Sequence, residues 1–232
     1  SGENDSRLLV PEPARIGAKV LAAQYGIDAK EREAADKLQQ LILGELHHRI
    51  KNTLATVSAI ASQSFRTAAT MEQGQKAMEG RLLALGRAHD LLMQISWSNA
   101  SLTHTFNDAT EPFEREGAKR FYFNGPDVAI TSGAVIALAM TFNELCTNTT
   151  KFGALSTPSG RFEVTWTIEA ERVRLAWTEY GGPPVHPPTR RSFGTRMMES
   201  LGQQLNGSVR LAYEPSGFIY NLDVPVSSII AP

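Results

Sequence analysis

The sequence predicts an α+β chain, a two-helix hairpin followed by a mixed sheet with helices on one face. Apolar residues spaced three and four apart run from about Glu31 to Phe65 and again over Met71–Ile95. Residues then alternate between apolar and polar over Arg161–Glu169 and Arg172–Glu179, which is the period of half-buried strands. Between Leu102 and Pro225 the helix and strand signals interleave, as a layered α+β domain requires.

In the hairpin, Leu38, Ile42, Leu46, Ile50, Leu54, Val57, Ile60 and Ala61 form one stripe. The polar stretch Thr67–Thr70 ends the first helix, and Leu82, Leu85, His89, Leu92 and Met93 line the second. Two amphipathic helices cannot bury both stripes alone, so the expectation is a homodimer through the hairpin, forming four helices. Residues 1–30, broken by Pro11, Pro13, Gly17 and Gly26, read as a loose arm with room for one short helix, either the stump of a linker from a missing sensory domain or a natural start. Residues 31–97 are expected to form the hairpin domain and 98–232 the second domain.

In that second domain, Leu102–Glu114 reads as a helix and Arg120–Phe123 as a strand ending at Asn124-Gly125-Pro126. Thr131–Gly153 reads as a helix with an apolar first half, and Thr195–Leu205 as a short one. The turn Asn206-Gly207 then leads into two strands ending at Pro225.

Composition narrows the function classes. The 232 residues carry 42% hydrophobic and 20% charged side chains, enough apolar content for a sizeable core. Twenty-three basic residues against twenty-four acidic ones give a net charge of −1, without the basic footprint of a nucleic-acid binder. The single cysteine, Cys146, excludes an internal disulfide and fits a reducing compartment. The uncharged stretch Ala134–Phe142 is far shorter than the ~20 residues a membrane helix needs, and the polar opening SGENDSR is unlike a signal peptide. No membrane span is expected, and the chain is read as cytoplasmic.

Two groups of residues carry chemistry. On the first hairpin helix, a rotation of about 100° per residue points His48 away from the Leu46–Ile50–Leu54 stripe, whereas His47 sits at its edge. Glu45, three residues before His48, and Asn52, four after it, share its side. An exposed imidazole beside a carboxylate suits a nucleophile whose ring proton Glu45 polarises. Adjacent histidines diverge on a helix, so zinc is set aside.

The other group lies in the second domain. Glu144, Asn148 and Lys151 recur at offsets of four and three and line one helix face. Glu144 and Asn148 supply oxygens suited to Mg²⁺, and Lys151 could meet a phosphate. Glu179 ends a strand just before Gly181-Gly182-Pro183, where backbone can approach a flat ligand and the carboxylate could accept from an exocyclic amine. Arg190-Arg191-Ser192-Phe193-Gly194-Thr195 is a basic loop running into a helix N-terminus, a place that attracts phosphate.

Together these residues resemble the HWE family of bacterial sensor histidine kinases. The resemblance covers about Glu33 to Pro225. The phosphoacceptor box resembles Glu45-Leu46-His47-His48-Arg49-Ile50-Lys51-Asn52, with His48 as the residue modified. The second helix resembles the family in Arg81–Leu92, and the N box in Asn143–Leu155. The Trp-x-Glu signature stands as Trp177 and Glu179, and Phe193-Gly194-Thr195 is similar to the second glycine box. Two positions depart from the pattern: Asn143 stands where the family has its eponymous histidine, and Ser192 replaces a glycine.

The resemblance implies a GHKL-type ATP-binding α/β sandwich and a kinase using ATP and Mg²⁺. Asn148, with Glu144, would hold the metal; Lys151, Arg191, Phe193, Gly194 and Thr195 would meet the phosphates. Glu179, Gly181 and Gly182 would receive the adenine. His48 would take the γ-phosphoryl group and pass it to an aspartate on a response-regulator receiver domain. Arg49 occupies the position where many histidine kinases carry an acidic base, which leaves Glu45 as the candidate. The rival expectation is a degenerate phosphotransfer or docking module that no longer binds nucleotide.

Overall fold

A computed structural model describes residues 12–94, 100–114, 119–188 and 193–231. Their contacts divide the chain into two compact units, residues 1–57 and 58–232.

Helix α1 spans Glu12–Arg66. It begins well before Glu31, so the arm expected to be loose up to residue 30 is helical from Glu12. Pro13 falls in the first turn, where the missing N–H costs nothing, and Gly17 and Gly26 each cost only about 1 kcal/mol. Within the first unit, Leu38, Leu41, Ile42, Leu43, Leu46, Ile50 and Leu54 are all exposed. The stripe that periodicity assigned to the buried side is therefore uncovered among the described residues.

The second unit contains the end of α1 and α2 (Met71–Gln94). The connection is capped: the Thr70 hydroxyl accepts from the Gln73 N–H at 3.2 Å, and the Gln73 side chain accepts from the Ala69 N–H. That is a variant of the T-x-x-Q capping box in which the glutamine reaches the N–H one residue before the cap. Ile60, Ala84, Leu85, Ala88, Leu91 and Leu92 are buried here.

Beyond it lie α3 (Leu102–Thr110), β1 (Phe121–Asn124), α4 (Ser132–Lys151), β2 (Arg161–Glu169) and β3 (Arg172–Tyr180). The chain closes with α5 (Phe193–Gln204), β4 (Ser208–Glu214), β5 (Gly217–Pro225) and the short α6 (Val226–Ile229). Ser101 and Thr131 cap α3 and α4 through their side chains. The strands form one mixed sheet in the order β1-β2-β3-β5-β4; β1 runs parallel to β2 and the other neighbours are antiparallel.

Alternation decides what the sheet buries. Phe162, Val164 and Trp166 of β2, Val173, Leu175 and Trp177 of β3, and Tyr220, Leu222 and Val224 of β5 all point into the core. They meet α3 and α4 through an aromatic cluster, in which Phe162 and Trp177 stack at 3.8 Å between ring centroids. Helix α4 is buried nearly all round, as its apolar first half predicted. Cys146 lies in this interior, and burial pushes its thiol well up, with the Glu179 charge adding to the shift. It is a core residue. No helix among the described residues is long and apolar enough to cross a membrane.

Candidate functional site

In the first unit His48 is exposed, as are His47 and the Leu46–Ile50–Leu54 stripe. Its Nδ1 lies 3.4 Å from the Asn52 amide nitrogen, so the residue one turn on orients the ring. The Glu45 carboxylate, expected to polarise His48, is engaged by Arg49 at 2.6 Å. An i,i+4 acid–base pair is the stronger neighbour contact on a helix surface, and it draws Glu45 toward Arg49.

In the second unit the site grows from the ends of β3 and α4. Positions 173, 175, 177 and 179 share the inward phase of β3, so the alternation that buries Trp177 also buries Glu179. A carboxylate in an apolar phase needs donors. Glu179 Oε2 accepts from the Ala154 N–H at 2.8 Å and Oε1 from the Trp177 indole N–H at 3.3 Å. Burial raises its pKa above the ordinary carboxylate range, opposed by Ala154, the Thr149 hydroxyl and Trp177.

The sign of the pH dependence follows. The folded state holds this proton more tightly than the unfolded chain, so the stabilisation is complete below the ordinary carboxylate range. It is lost as pH rises through the raised value. Glu179→Gln removes the titration. The melting temperature of that variant relative to the parent is therefore expected to climb as pH rises from the ordinary carboxylate range through the raised value. A flat or falling difference in thermal melts would mean that the donors, not burial, dominate at Glu179.

Past Glu179 the chain turns at Gly181, whose φ of +71° favours glycine. Gly182 follows against Ala154, where a Cβ would lie 2.6 Å from the Ala154 Cα. Arg120 fixes the facing loop from below, its Nε donating to the Gly160 carbonyl at 2.6 Å and its guanidinium also reaching Ala154 and Thr157. At the end of α4, Lys151 is exposed and the Phe152 ring is 70% exposed, open to a planar partner.

One turn back along α4, Asn148 is half-buried and Glu144 is buried. Both face α5 at Gly194: a Cβ there would stand 2.7 Å from Glu144 Oε2 and 3.5 Å from the Asn148 amide nitrogen. Thr195 follows, buried. Of the phosphate loop, Arg190, Arg191 and Ser192 lie outside the described residues, and Phe193 is described only as the first residue of α5.

Glu144 itself is not open. Arg81 of α2 grips it through Nε to Oε1 at 2.6 Å and Nη2 to Oε2 at 3.0 Å, while Nη1 donates to Ser64 Oγ at 2.8 Å. Asn148 is thus the oxygen donor on this face without such a commitment to Arg81. Among the described residues no three acidic, His or Cys side chains cluster for a metal. An ion such as Mg²⁺, which takes few protein ligands and keeps phosphate and water, still fits a single amide oxygen here.

The structure therefore brings Glu144, Asn148, Gly194 and Thr195 together, and separately sets Glu179 beside Gly181 and Gly182. Sequence reasoning missed the roles of Thr149, Arg120 and Arg81 in this arrangement. For Arg81 there was a signal: a carboxylate midway along an all-round buried helix demands a cation from elsewhere.

Comparison with known proteins bears on the family and the fold. The family model described as HWE histidine kinase matches residues 45–127. A blue-light-activated histidine kinase of Brucella ovis is 33% identical over 210 residues, covering 88% of this chain and 43% of the relative. One from Brucella anthropi is 32% identical over 230 residues, covering 97% and 45%. The chain thus spans less than half the length of the curated relatives it matches. Among solved structures, the Erythrobacter litoralis EL346 blue-light activated histidine kinase aligns with a TM-score of 0.60 at 20% identity, over 80% of this chain and 59% of that one. Its separate histidine kinase domain aligns at 0.52 and 15% identity, over 76% and 95%. These two likenesses bear on the fold, and the fold is that of a histidine kinase catalytic region.

Proposed function

Because this chain belongs to the HWE histidine kinase family, we propose that it is a kinase core that moves the γ-phosphoryl group of Mg-ATP onto His48 and then onto an aspartate of a response-regulator receiver domain. In this reading residues 31–97 are the phosphoacceptor hairpin, 98–232 the nucleotide-binding domain, and residues 1–30 an N-terminal arm or linker. The exposed α1 stripe from Leu38 to Leu54 is the surface through which two copies pair.

The observation that carries the reading is the buried Glu179 carboxylate at the mouth of β3, beside the left-handed Gly181 and the loop Gly153–Leu155. It has the chemistry to accept an adenine amine while Phe152 offers a ring face. Asn148 would hold the magnesium ion, which when bound neutralises phosphate charge. Lys151 at the end of α4 would add charge from the solvent side. Catalysis of phosphoryl transfer is chiefly positioning and charge neutralisation, and these residues supply both.

At His48 a ring-nitrogen lone pair forms the bond to the γ-phosphorus as the bond to the β-phosphate oxygen breaks, and ADP leaves. An Asn52 amide turned so that its oxygen accepts from Nδ1–H would leave the Nε2 lone pair for the attack. The ring proton passes to a base, and Glu45, already paired with Arg49, is the nearest carboxylate on that side in sequence.

The test is incubation with γ-labelled ATP and Mg²⁺, beside His48→Gln. The parent is expected to acquire label that is lost in acid and stable in alkali, and the variant to acquire none. A folded parent that takes no label and binds no fluorescent ATP analogue would instead be a docking module, with Asn143 and Ser192 the first residues to restore. Light scattering on the same sample checks the pairing: the mass of one chain would discard the α1 stripe as a self-association surface.

A further inference from the structure

The strongest contact in the second unit that nucleotide chemistry does not explain is the fork from Arg81 to Glu144. It joins three segments far apart in sequence: Ser64 at the end of α1, Arg81 on α2 and Glu144 on α4. Arg81 and Glu144 side chains are only 12% and 4% exposed. A bidentate guanidinium–carboxylate pair is among the most directional contacts in proteins, and burial protects it from screening.

Its position is what gives it consequence. Glu144 Oε2 lies where a Cβ on Gly194 would strike it, and Asn148 faces the same point. A flexible glutamate could swing aside to admit a side chain at residue 194; one fixed by Arg81 cannot. Without its cation, this carboxylate would sit on the helix face that presents Asn148, against a triphosphate of like charge.

We propose that Arg81 is a positioning residue for the metal–triphosphate site: it holds Glu144 fixed and neutralised beneath Gly194. The α4 face then offers Asn148, and no free carboxylate, to metal and phosphate. The inference rests on the nucleotide site proposed above. It also makes α2, the second hairpin helix, a structural determinant of nucleotide affinity.

The discriminating quantity is the ratio of the ATP dissociation constant in EDTA to that in Mg²⁺, read with a fluorescent ATP analogue. Arg81→Gln leaves a bare carboxylate that repels metal-free ATP and attracts the ion, so its ratio is expected to rise about tenfold or more. Glu144→Gln leaves the Arg81 charge without this carboxylate to neutralise it, which favours metal-free ATP, so its ratio is expected to fall about fivefold. Arg81→Gln with Glu144→Gln removes both charges and is expected to return within about twofold of the parent.

A pair that only braces the fold would lower the melting temperature of the variants and leave the ratio at the parent value in each, and that result overturns the proposal. Should Arg81→Gln not fold, Glu144→Gln and Arg81→Lys decide it. Arg81→Lys keeps the cation without the fork and is expected to raise the ratio about threefold. A parent ratio in both would be equally fatal. A parent that binds no nucleotide would remove the proposed site and this inference with it, whereas parent binding with unchanged ratios removes the inference alone.

Discussion

Asn148→Ala is expected to lower acid-labile labelling by at least about 100-fold while leaving the protein folded. The magnitude follows from the scarcity of alternatives. Glu144 is held by Arg81, and no three metal-binding side chains gather among the described residues, so in the proposed site this amide is the side-chain oxygen left for Mg²⁺ beside Gly194. Residues that merely orient a metal ligand cost about 10–100-fold when removed, and the ligand itself should cost more. Stability should hardly change, because Asn148 is half-buried and alanine is the better helix former. Lys151→Ala makes the contrast. Lys151 is exposed at the last turn of α4, where a charge acts through solvent, and its loss should cost only a few-fold. Labelling assays paired with thermal melts check both. Equal losses in the two variants would place the metal elsewhere, and parent-level labelling by Asn148→Ala would dissolve the reading of this face.

Much of this site could be read from alternation alone. The pattern of β3 places residue 179 in phase with Val173, Leu175 and Trp177, so an acidic residue there must be buried, and a buried acid beside Gly181 and Gly182 points to a ligand. The strand limits of β2 were equally legible, since Arg161–Glu169 carries its own period. The onset of α1 was not. Gly17, Gly26 and Pro13 are local punctuation, whereas a helix of 55 residues is sustained by length and by what its faces meet. Nor could the partner of Glu144 be named. Arg81 lies sixty-three residues away, and spacing along one helix says nothing of which other helix crosses it. The Glu45–Arg49 pair was out of reach for a related reason: offsets make both His48 and Arg49 neighbours of Glu45, and side-chain geometry settles which one it engages.

Trp177→Ala is expected to destabilise the sheet-containing unit by about 3–5 kcal/mol, a large fraction of the roughly 5–15 kcal/mol that holds a domain together. Trp177 is fully buried at the middle of β3, flanked in register by Val164 and Tyr220. Its ring stacks on Phe162 with 16° between planes and lies 6.4 Å from Phe106. Removing it opens a void that a sheet pinned on both sides cannot close. The melting temperature should fall by about 6–20 °C, at the scale of 2–4 °C per kcal/mol for a unit of this size. The indole has a second duty, because its N–H donates to Glu179 Oε1. Trp177→Phe separates the two. It keeps most of the stacked surface and forfeits the donor, so it should lose only about 1 kcal/mol of stability while ATP affinity falls further than that change alone would explain. Urea unfolding and analogue binding on both variants give the comparison. If Trp177→Phe binds nucleotide as the parent does, the indole serves the core alone and Glu179 relies on Ala154 and Thr149 to hold its place.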